Sequence, residues 1–461
     1  MEISDIVKKQ REYFYSGKTR SYEARINSLK RLRASVTAHE NTICEALFSD
    51  FRKSAYETYM CEIALVLDEI DYQIRHLRSF MRKRRAHTSL AQFPARSFVS
   101  GEPYGVVLIM APWNYPFLLC MQPLIGALAA GNCAVVKPSA YAPCGSAAVR
   151  KIIESAFSYE QAAVIEGGRA ENNALFSEKF DYIFFTGSPS VGKTVMRAAA
   201  DNLTPVTLEL GGKSPVIIDN SADIRLAAKR TAFGKILNAG QTCIAPDYAL
   251  VHENVKDTFI FEFTKVLDSF FPNGNMDNMP VIVNEKHYTR LCALIDGSCS
   301  SQSSARIVLG GGRCPETRFI APTVIENVSP AAPIMQEEIF GPILPIITFS
   351  DLSEAVSFVR ERPRPLALYL FTKSREAEKQ ILDSLSFGGG CINDTILHIA
   401  SPHTGFGGVG SSGMGQYHGK KSYETFTHYR SIMRGASKVE IPLRYHPYTA
   451  GKAGLLHRLF K

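Results

Sequence analysis

The stretch Gly105-Val106-Val107-Leu108-Ile109-Met110, followed at once by Ala111-Pro112-Trp113-Asn114, decides the fold. It is a short, continuous apolar run, not an alternating one, which is the pattern of a strand covered on both faces. Runs of the same kind recur at 134–136, 163–165, 182–185 and 206–210, with stretches of helical length between most of them. That alternation implies a parallel sheet with helices on both sides. A second series follows at 216–218, 249–252, 307–309, 343–349 and 366–371, with helical stretches such as 256–271 between some of them. The expected class is therefore α/β, with two sheets and two large domains.

Composition sets outer limits. The chain has 461 residues, so two or three domains are expected. Hydrophobic residues are 45% and charged residues 21%, ordinary globular usage. The net charge of +8 is a mild excess that does not by itself indicate a nucleic acid or other polyanion. Ten cysteines are scattered without a CxxC pair, so neither a metal site nor a disulfide framework is indicated. Reduced thiols suit a cytoplasmic location. The polar N-terminus does not read as a signal peptide. The best membrane candidate, 117–130, is too short to span and holds Gln122 and Pro123.

Residues 22–81 carry helical spacing, first through Ile26, Leu29, Val36, Ile43 and Leu47, then through Ile63, Val66, Leu67, Ile70, Ile74, Leu77 and Met81. Arg75, Arg78, Arg82, Lys83, Arg84 and Arg85 crowd the end of this region, where cations suit a helix C-terminus. From about 88 to 101 the pattern breaks at Thr88, Ser89, Pro94, Ser97, Ser100 and Gly101, as in a connector or an excursion from the first domain. After Gly388 the chain becomes loop-rich.

In parallel sheets ligands bind beyond the carboxyl ends of the strands. One such tip matches a P-loop: Gly187-Ser188-Pro189-Ser190-Val191-Gly192-Lys193-Thr194, with Asp219 as a candidate magnesium acid. Against it, the loop follows the fourth strand, and Pro189 removes an N–H from a phosphate cradle. Gly187 and Ser188 at a helix N-terminus can still meet a pyrophosphate. A second tip carries Asn238-Ala239-Gly240-Gln241-Thr242-Cys243, between a helical pattern at 224–237 and the strand at 248–252. A cysteine alone is more often a small core residue, yet this one has small neighbours on a loop. Glu209 ends a strand and can serve as a base for water; Asn114 follows the first strand and can donate to an oxyanion. Glu338 and Phe340 come from the second series. Nucleophile, base and oxyanion donor beside such a sheet suggest acyl chemistry on a thiol coupled to hydride transfer. A P-loop NTPase and a non-enzymatic basic binding protein using 75–85 are the rival readings.

Six ordered motifs resemble the aldehyde dehydrogenase superfamily over essentially the whole chain. They are Pro112-Trp113-Asn114-Tyr115-Pro116, Lys137-Pro138-Ser139, Phe185-Thr186-Gly187-Ser188, Leu208-Glu209-Leu210-Gly211-Gly212-Lys213, Gly240-Gln241-Thr242-Cys243 and Glu337-Glu338-Ile339-Phe340-Gly341-Pro342. The segments 362–369 and 413–422 are similar to the class 3 branch, which includes the fatty aldehyde enzymes. The resemblance implies Cys243 as nucleophile, Glu209 as activator of water, and Asn114 with the Cys243 N–H as oxyanion hole. It implies cofactor contacts at Trp113, Lys137, Ser139, Gly187, Ser188, Gly211, Glu338 and Phe340, and NAD or NADP as cofactor. Tyr115, Thr242 and His398 are candidates for the substrate pocket, and medium or long aliphatic or aromatic aldehydes are the implied substrates. The implied architecture is a Rossmann-like cofactor-binding domain (1–81 and 102–210), a catalytic domain (211–419) and a small bridging, oligomerisation element (82–101 and 420–461) that builds a homodimer.

Two local features refine this. The superfamily motif is usually Lys-Pro-Ser-Glu, and here Ala140 replaces the glutamate. Losing that carboxylate removes a ribose hydrogen bond and a repulsion toward a 2′-phosphate, which favours use of NADP beside NAD. The C-terminus, Gly451 to Lys461, is basic and apolar but too short to span, so no transmembrane anchor is expected and at most weak peripheral membrane contact.

Overall fold

The computed structural model describes residues 2–89, 92–301 and 303–459. Its first sheet runs in the order Gly413–Met414, Val206–Leu210, Tyr182–Gly187, Val106–Met110, Cys133–Lys137 and Ala162–Val164. All neighbours are parallel except the short first strand. The period of two explains why these strands are apolar throughout. Val107, Ile109, Ala134 and Val136 face the core shared with Leu124, Ile125 and Val149 of two crossover helices, Leu118–Ala130 and Pro143–Ala156. Val106, Leu108, Cys133 and Val135 face the opposite core, with Ile6, Val7, Phe14 and Val195. The helix Ile3–Tyr15, which supplies three of those residues, is not apparent in the sequence pattern.

The second sheet has seven strands, ordered Arg306–Leu309, Thr323–Glu326, Ile343–Phe349, Tyr248–His252, Pro215–Ile218, Ala367–Phe371 and Gly389–Ile392. Only the first is antiparallel to its neighbour. A third sheet joins Arg84–Ala86, Arg96–Pro103 and Thr427–Arg434, all antiparallel. Two expectations change here. The stretch 88–101 becomes strand from Arg96 onward, because Arg96–Pro103 pairs in register along Thr427–Arg434 despite its serines and glycine. The boundary at 419 also shifts: Gly413 pairs with Glu209 and Met414 with Leu208, so the chain re-enters the first sheet before 419.

The apolar run 117–130 forms the helix Leu118–Ala130, buried on every side. It packs against the helices Tyr22–Ala38 and Ala64–Phe80. Among the described residues no helix is long and apolar enough to cross a membrane. The helical region at 22–81 is interrupted by a π segment, Tyr59–Ile63. The C-terminal residues form a helix, Ala450–Leu459, tied back by Lys452 Nζ to the carbonyls of Tyr445 and Pro447 at 2.8 and 3.0 Å.

One fully buried ion pair sits where these layers meet. Lys53 Nζ donates to Glu62 Oε1 at 2.7 Å, with neither side chain exposed. Glu62 Oε2 accepts the N–H groups of Phe117 and Leu118 at 3.0 and 3.1 Å. It thereby satisfies donors at the start of the central helix. Glu62→Ala strands the Lys53 charge and those N–H groups, so a loss of about 3–5 kcal/mol is expected. A fall in the urea midpoint relative to the wild-type chain is the measurement.

Candidate functional site

The carboxyl end of the first sheet and the amino end of the second converge on Cys243. The helix Ile224–Ile236 ends before it, and the chain enters a turn in which Asn238, Ala239 and Gly240 have φ of 52°, 52° and 70°. Asn238 and Ala239 are non-glycine residues held in the left-handed region, a strain that clusters at functional sites. At Gly240 a Cβ would run into the carbonyl of Gly341, so only glycine fits. The turn is held from several sides. Asn238 Nδ2 donates to the carbonyls of Asn114 (2.8 Å) and Gln241 (3.2 Å), and Gln241 Nε2 donates to those of Asn238 and Val281, both at 3.1 Å.

Cys243 lies at the junction of two cavities. The larger, about 400 Å³, is lined by polar and aromatic groups that include Trp113, Asn114, Gly187, Ser188, Glu209 and Glu338. The smaller, about 140 Å³, is almost wholly apolar, with Met60, Cys61, Leu65, Leu118, Phe233 and Ile244 among its walls. Leu119, Cys243 and Ile399 belong to both. Burial pushes the Cys243 thiol up, and the nearby Glu338 and Glu209 carboxyls add to the effect, while the N–H groups of Cys243 and Ile244 oppose it. Asn114 Nδ2 donates one hydrogen to the Gln241 carbonyl at 2.9 Å. An amide nitrogen has a second, on a residue that lines the larger cavity.

Glu209 is 2% exposed, and both its carboxyl oxygens are buried without a partner. Burial holds its pKa well above the usual carboxylate range. Glu338 is raised to about 8, first by burial and then by Asp247, against the Gly212 N–H and the cations Lys213 and Arg290. Its segment is anchored by Lys213, which pairs with Asp247 and donates to the carbonyls of Ile334 (2.9 Å) and Glu337 (2.7 Å). Asp247 Oδ1 in turn accepts the Ile339 N–H at 2.8 Å. Phe340 has φ of 54° and meets Trp113 edge-on at 5.3 Å.

The site residues expected from sequence are distributed as follows. Cys243, Glu209, Asn114, Trp113, Gly187, Ser188, Gly211, Glu338 and Phe340 all line the larger cavity. Tyr115 and Thr242 line the smaller one, joined by a 2.7 Å hydrogen bond between hydroxyls. Lys137 and Ser139 lie outside both linings: Lys137 Nζ donates to the carbonyls of Pro138 (2.8 Å) and Gly167 (2.6 Å), and Ser139 Oγ accepts the Tyr141 N–H at 3.2 Å. His398 also lies outside. The 3-10 turn Leu397–Ala400 presents Leu397, Ile399 and Ala400 to the apolar cavity. The imidazole goes behind it, 3.6 Å from Cys391 Sγ and between the rings of Tyr369 and Phe406. The sequence reading missed Met60, Cys61, His287 and Arg290. The first two reach the cavity from the π segment, a distortion common at functional sites. His287, on the helix Glu285–Ser298, has its pKa lowered to about 4 by burial and then by Arg290 and Lys286, so it is a neutral imidazole.

The P-loop reading fails on connectivity. Asp219 follows Pro215–Ile218, which pairs with strands of the second sheet and never with Tyr182–Gly187. Asp219 is engaged by Ser221 and Thr372 at 2.5 and 2.8 Å, and Lys193 is exposed.

The groups present fit a dinucleotide. Ser188 caps the helix Pro189–Ala200, whose N-terminus suits a pyrophosphate. Thr186 Oγ1 and Glu338 Oε1 are buried without a partner at the cavity. A Cβ on Gly211 would overlap the Glu338 carboxyl.

The sequence model of the aldehyde dehydrogenase family matches residues 1–432. The 4,4'-diaponeurosporen-aldehyde dehydrogenase of Staphylococcus aureus is 45% identical over 452 residues, 97% of each chain. The Mus musculus protein named aldehyde dehydrogenase, dimeric NADP-preferring, is 42% identical over 433 residues, 94% of each chain. A solved structure described as the substrate-bound state of Staphylococcus aureus AldH superposes with a TM-score of 0.97 at 44% identity, covering 100% of both chains.

A raised pKa means less thiolate at neutral pH than a free cysteine has. In the ligand-free protein, alkylation of Cys243 by iodoacetamide should therefore lag a free thiol near neutral pH. It should climb about tenfold per pH unit into the alkaline range. Peptide-level mass spectrometry separates Cys243 from the other cysteines, and a rate that is flat with pH would contradict the assignment.

Proposed function

The chain belongs to the aldehyde dehydrogenase family, and from that premise we propose that it oxidises apolar aldehydes to carboxylic acids through Cys243, with NAD or NADP. The observation that carries the reading is the position of one sulfur at the junction of a polar and an apolar cavity. The apolar side takes the aldehyde's tail and brings its carbonyl carbon to Cys243 Sγ. The sulfur adds to that carbon, and the oxygen that gains charge is met by Asn114 Nδ2 and the Cys243 N–H, giving a thiohemiacetal. When bound, NAD(P) supplies the hydride acceptor that oxidation to the thioester requires. Glu209, as its carboxylate, then takes a proton from water as the water oxygen attacks the thioester, and returns it to the departing sulfur, so that the thiol leaves with the carboxylic acid as product. A base enclosed in an apolar site has its proton affinity raised toward neutrality, which suits this step.

Trp113, Gly187, Ser188, Gly211, Glu338 and Phe340 would hold the cofactor, with Lys137 and Ser139 on its ribose side. Use of NADP beside NAD is part of the proposal. Ala140 is exposed on that rim and offers no carboxylate to repel a 2′-phosphate, and the mouse relative is named NADP-preferring. A homodimer built through the third sheet and a cytoplasmic location complete the reading; all ten cysteines are unpaired, which suits a reducing compartment.

Cys243→Ser should abolish aldehyde oxidation while cofactor binding persists. With wild type, kcat/KM should rise roughly fourfold per added methylene until the cavity is filled, from about 0.8 kcal/mol per buried group. A charged aldehyde of equal length should be a poor substrate. Near-wild-type turnover in Cys243→Ser, or indifference to chain length, would sink the proposal. Ala140→Glu should shift the kcat/KM ratio toward NAD. A wild type strongly selective for NAD, with a ratio unmoved by the substitution, would remove the case for NADP.

A further inference from the structure

The nucleophile turn is gripped at both ends by an ionic cluster, buried at Lys53 and Glu62 and half-buried at Glu57, that lies outside both cavities. At its first residue, the helix Ile224–Ile236 has ended, and the Asn238 N–H has turned away from any helical carbonyl. That N–H donates instead to Glu57 Oε1 at 2.8 Å. Glu57 sits on Ala55–Thr58, whose first turn is capped by Ser54. At the other end, Lys53 Nζ lies 4.5 Å from the ring centre of Tyr115, and the Tyr115 hydroxyl meets Thr242 Oγ1 at 2.7 Å, next to the nucleophile. Lys53 is the cation of the cluster, bonded to Glu62 at 2.7 Å. None of Lys53, Glu57 and Glu62 lines either cavity.

Following the Proposed function, we propose that Glu57 is a positioning residue for the oxyanion donors. Through the Asn238 N–H it fixes the left-handed turn that aims Asn114 and the Cys243 backbone at the aldehyde oxygen. The relay is short. Asn238 Nδ2 donates to the Asn114 carbonyl and shares the Gln241 carbonyl with Asn114 Nδ2, at 3.2 and 2.9 Å. If the turn relaxes, the carbonyl that orients the Asn114 amide moves with it. The sulfur is less dependent on this grip, since the following residues are held separately: the Ala245 N–H donates to the Thr242 carbonyl at 3.0 Å, and Tyr369 Oη donates to the Ile244 carbonyl at 2.6 Å. Burial raises the Glu57 pKa, while Lys53 and the Asn238 N–H pull it back. The cluster therefore keeps an acceptor enclosed at that spot.

This separates two reactions of the same thiol. Acyl transfer from p-nitrophenyl acetate passes through an oxyanion and needs the donors; alkylation by iodoacetamide displaces iodide and does not. Glu57→Met keeps the volume, removes the acceptor and leaves Lys53 paired with Glu62. It should lower acyl transfer and the kcat of aldehyde oxidation by roughly 10- to 100-fold. The aldehyde KM and the rate of Cys243 alkylation should stay within about twofold, as expected for a donor used only in the transition state. Glu57→Gln, which retains an acceptor oxygen, should recover most of the loss. Equal loss of acyl transfer and alkylation, no loss in Glu57→Met, or no recovery in Glu57→Gln would overturn the proposal. So would a Glu57→Met chain that fails to fold beside a fully active Glu57→Gln, which would assign the residue to stability. Acyl transfer that survives Cys243→Ala in the otherwise wild-type chain would instead show that the Cys243 reading had failed.

Discussion

Strands buried on both faces constrain everything else. A parallel strand cannot return by a hairpin, so each pair needs a crossover, and every crossover leaves its polar groups at the sheet's ends. Two such sheets share one chain, and the carboxyl end of the first meets the amino end of the second. Asn114, Ser188 and Glu209 come from the tips of the first sheet. Cys243 and Glu338 come from turns that precede strands of the second. The antiparallel strand Gly413–Met414 then returns to pair beside Glu209. Residues far apart in the chain thus reach one cavity without any of them lying on a flexible arm.

What the sequence made legible follows the same physics. The strands at 105–110 and 182–185 announce themselves because doubly buried strands are apolar without interruption. The strand Arg96–Pro103 carries no such signal. It is the central strand of its sheet yet holds Ser97, Ser100 and Gly101, and the partner that pairs along its whole length, Thr427–Arg434, is distant in sequence. Pattern reading is local, and that pairing is not. The candidate site divides in the same way. Cys243, Glu209 and Asn114 stand at strand tips, where the tip itself is the clue. Met60 and Cys61 enter the apolar cavity through a π turn that shifts helical phase, and a spacing rule based on the α-helix cannot place them. His398 was misplaced for a related reason: a 3-10 turn has a different phase, and it sends Leu397 and Ile399 forward and the imidazole back. The Gly187–Thr194 match shows the reverse error: the pattern is complete in sequence, but the acid it needs, Asp219, follows a strand of the other sheet.

The resting site is also defined by what it does not ionise. Burial opposes charge on Glu209, on Glu338 and on Cys243, and at the thiol the Glu338 and Glu209 carboxyls oppose it further. Enclosing acids this way costs stability, because unpaired buried carboxyl oxygens forfeit hydration. The fold bears that cost where Glu209 has no partner for either oxygen. It avoids the cost one layer further out, where Lys53 faces Glu62 and Lys213 faces Asp247 at close range.

That contrast argues for a division of labour. Groups at the cavity are left unsatisfied and neutral, so that a ligand's arrival changes their surroundings. Groups behind the cavity are saturated with partners, so that they do not move when the first set does. The left-handed turn at Asn238, Ala239 and Gly240 lies on the boundary between the two sets. Its strain is borne by the outer set, through Glu57, Gln241 and the carbonyl of Gly341, while its inner edge carries the thiol. A strained turn persists only when its surroundings over-determine it. Here part of the over-determination comes from the N-terminal helical region, whose Glu57 holds the turn from behind the cavity, so the first 80 residues bear on the site as well as on the core.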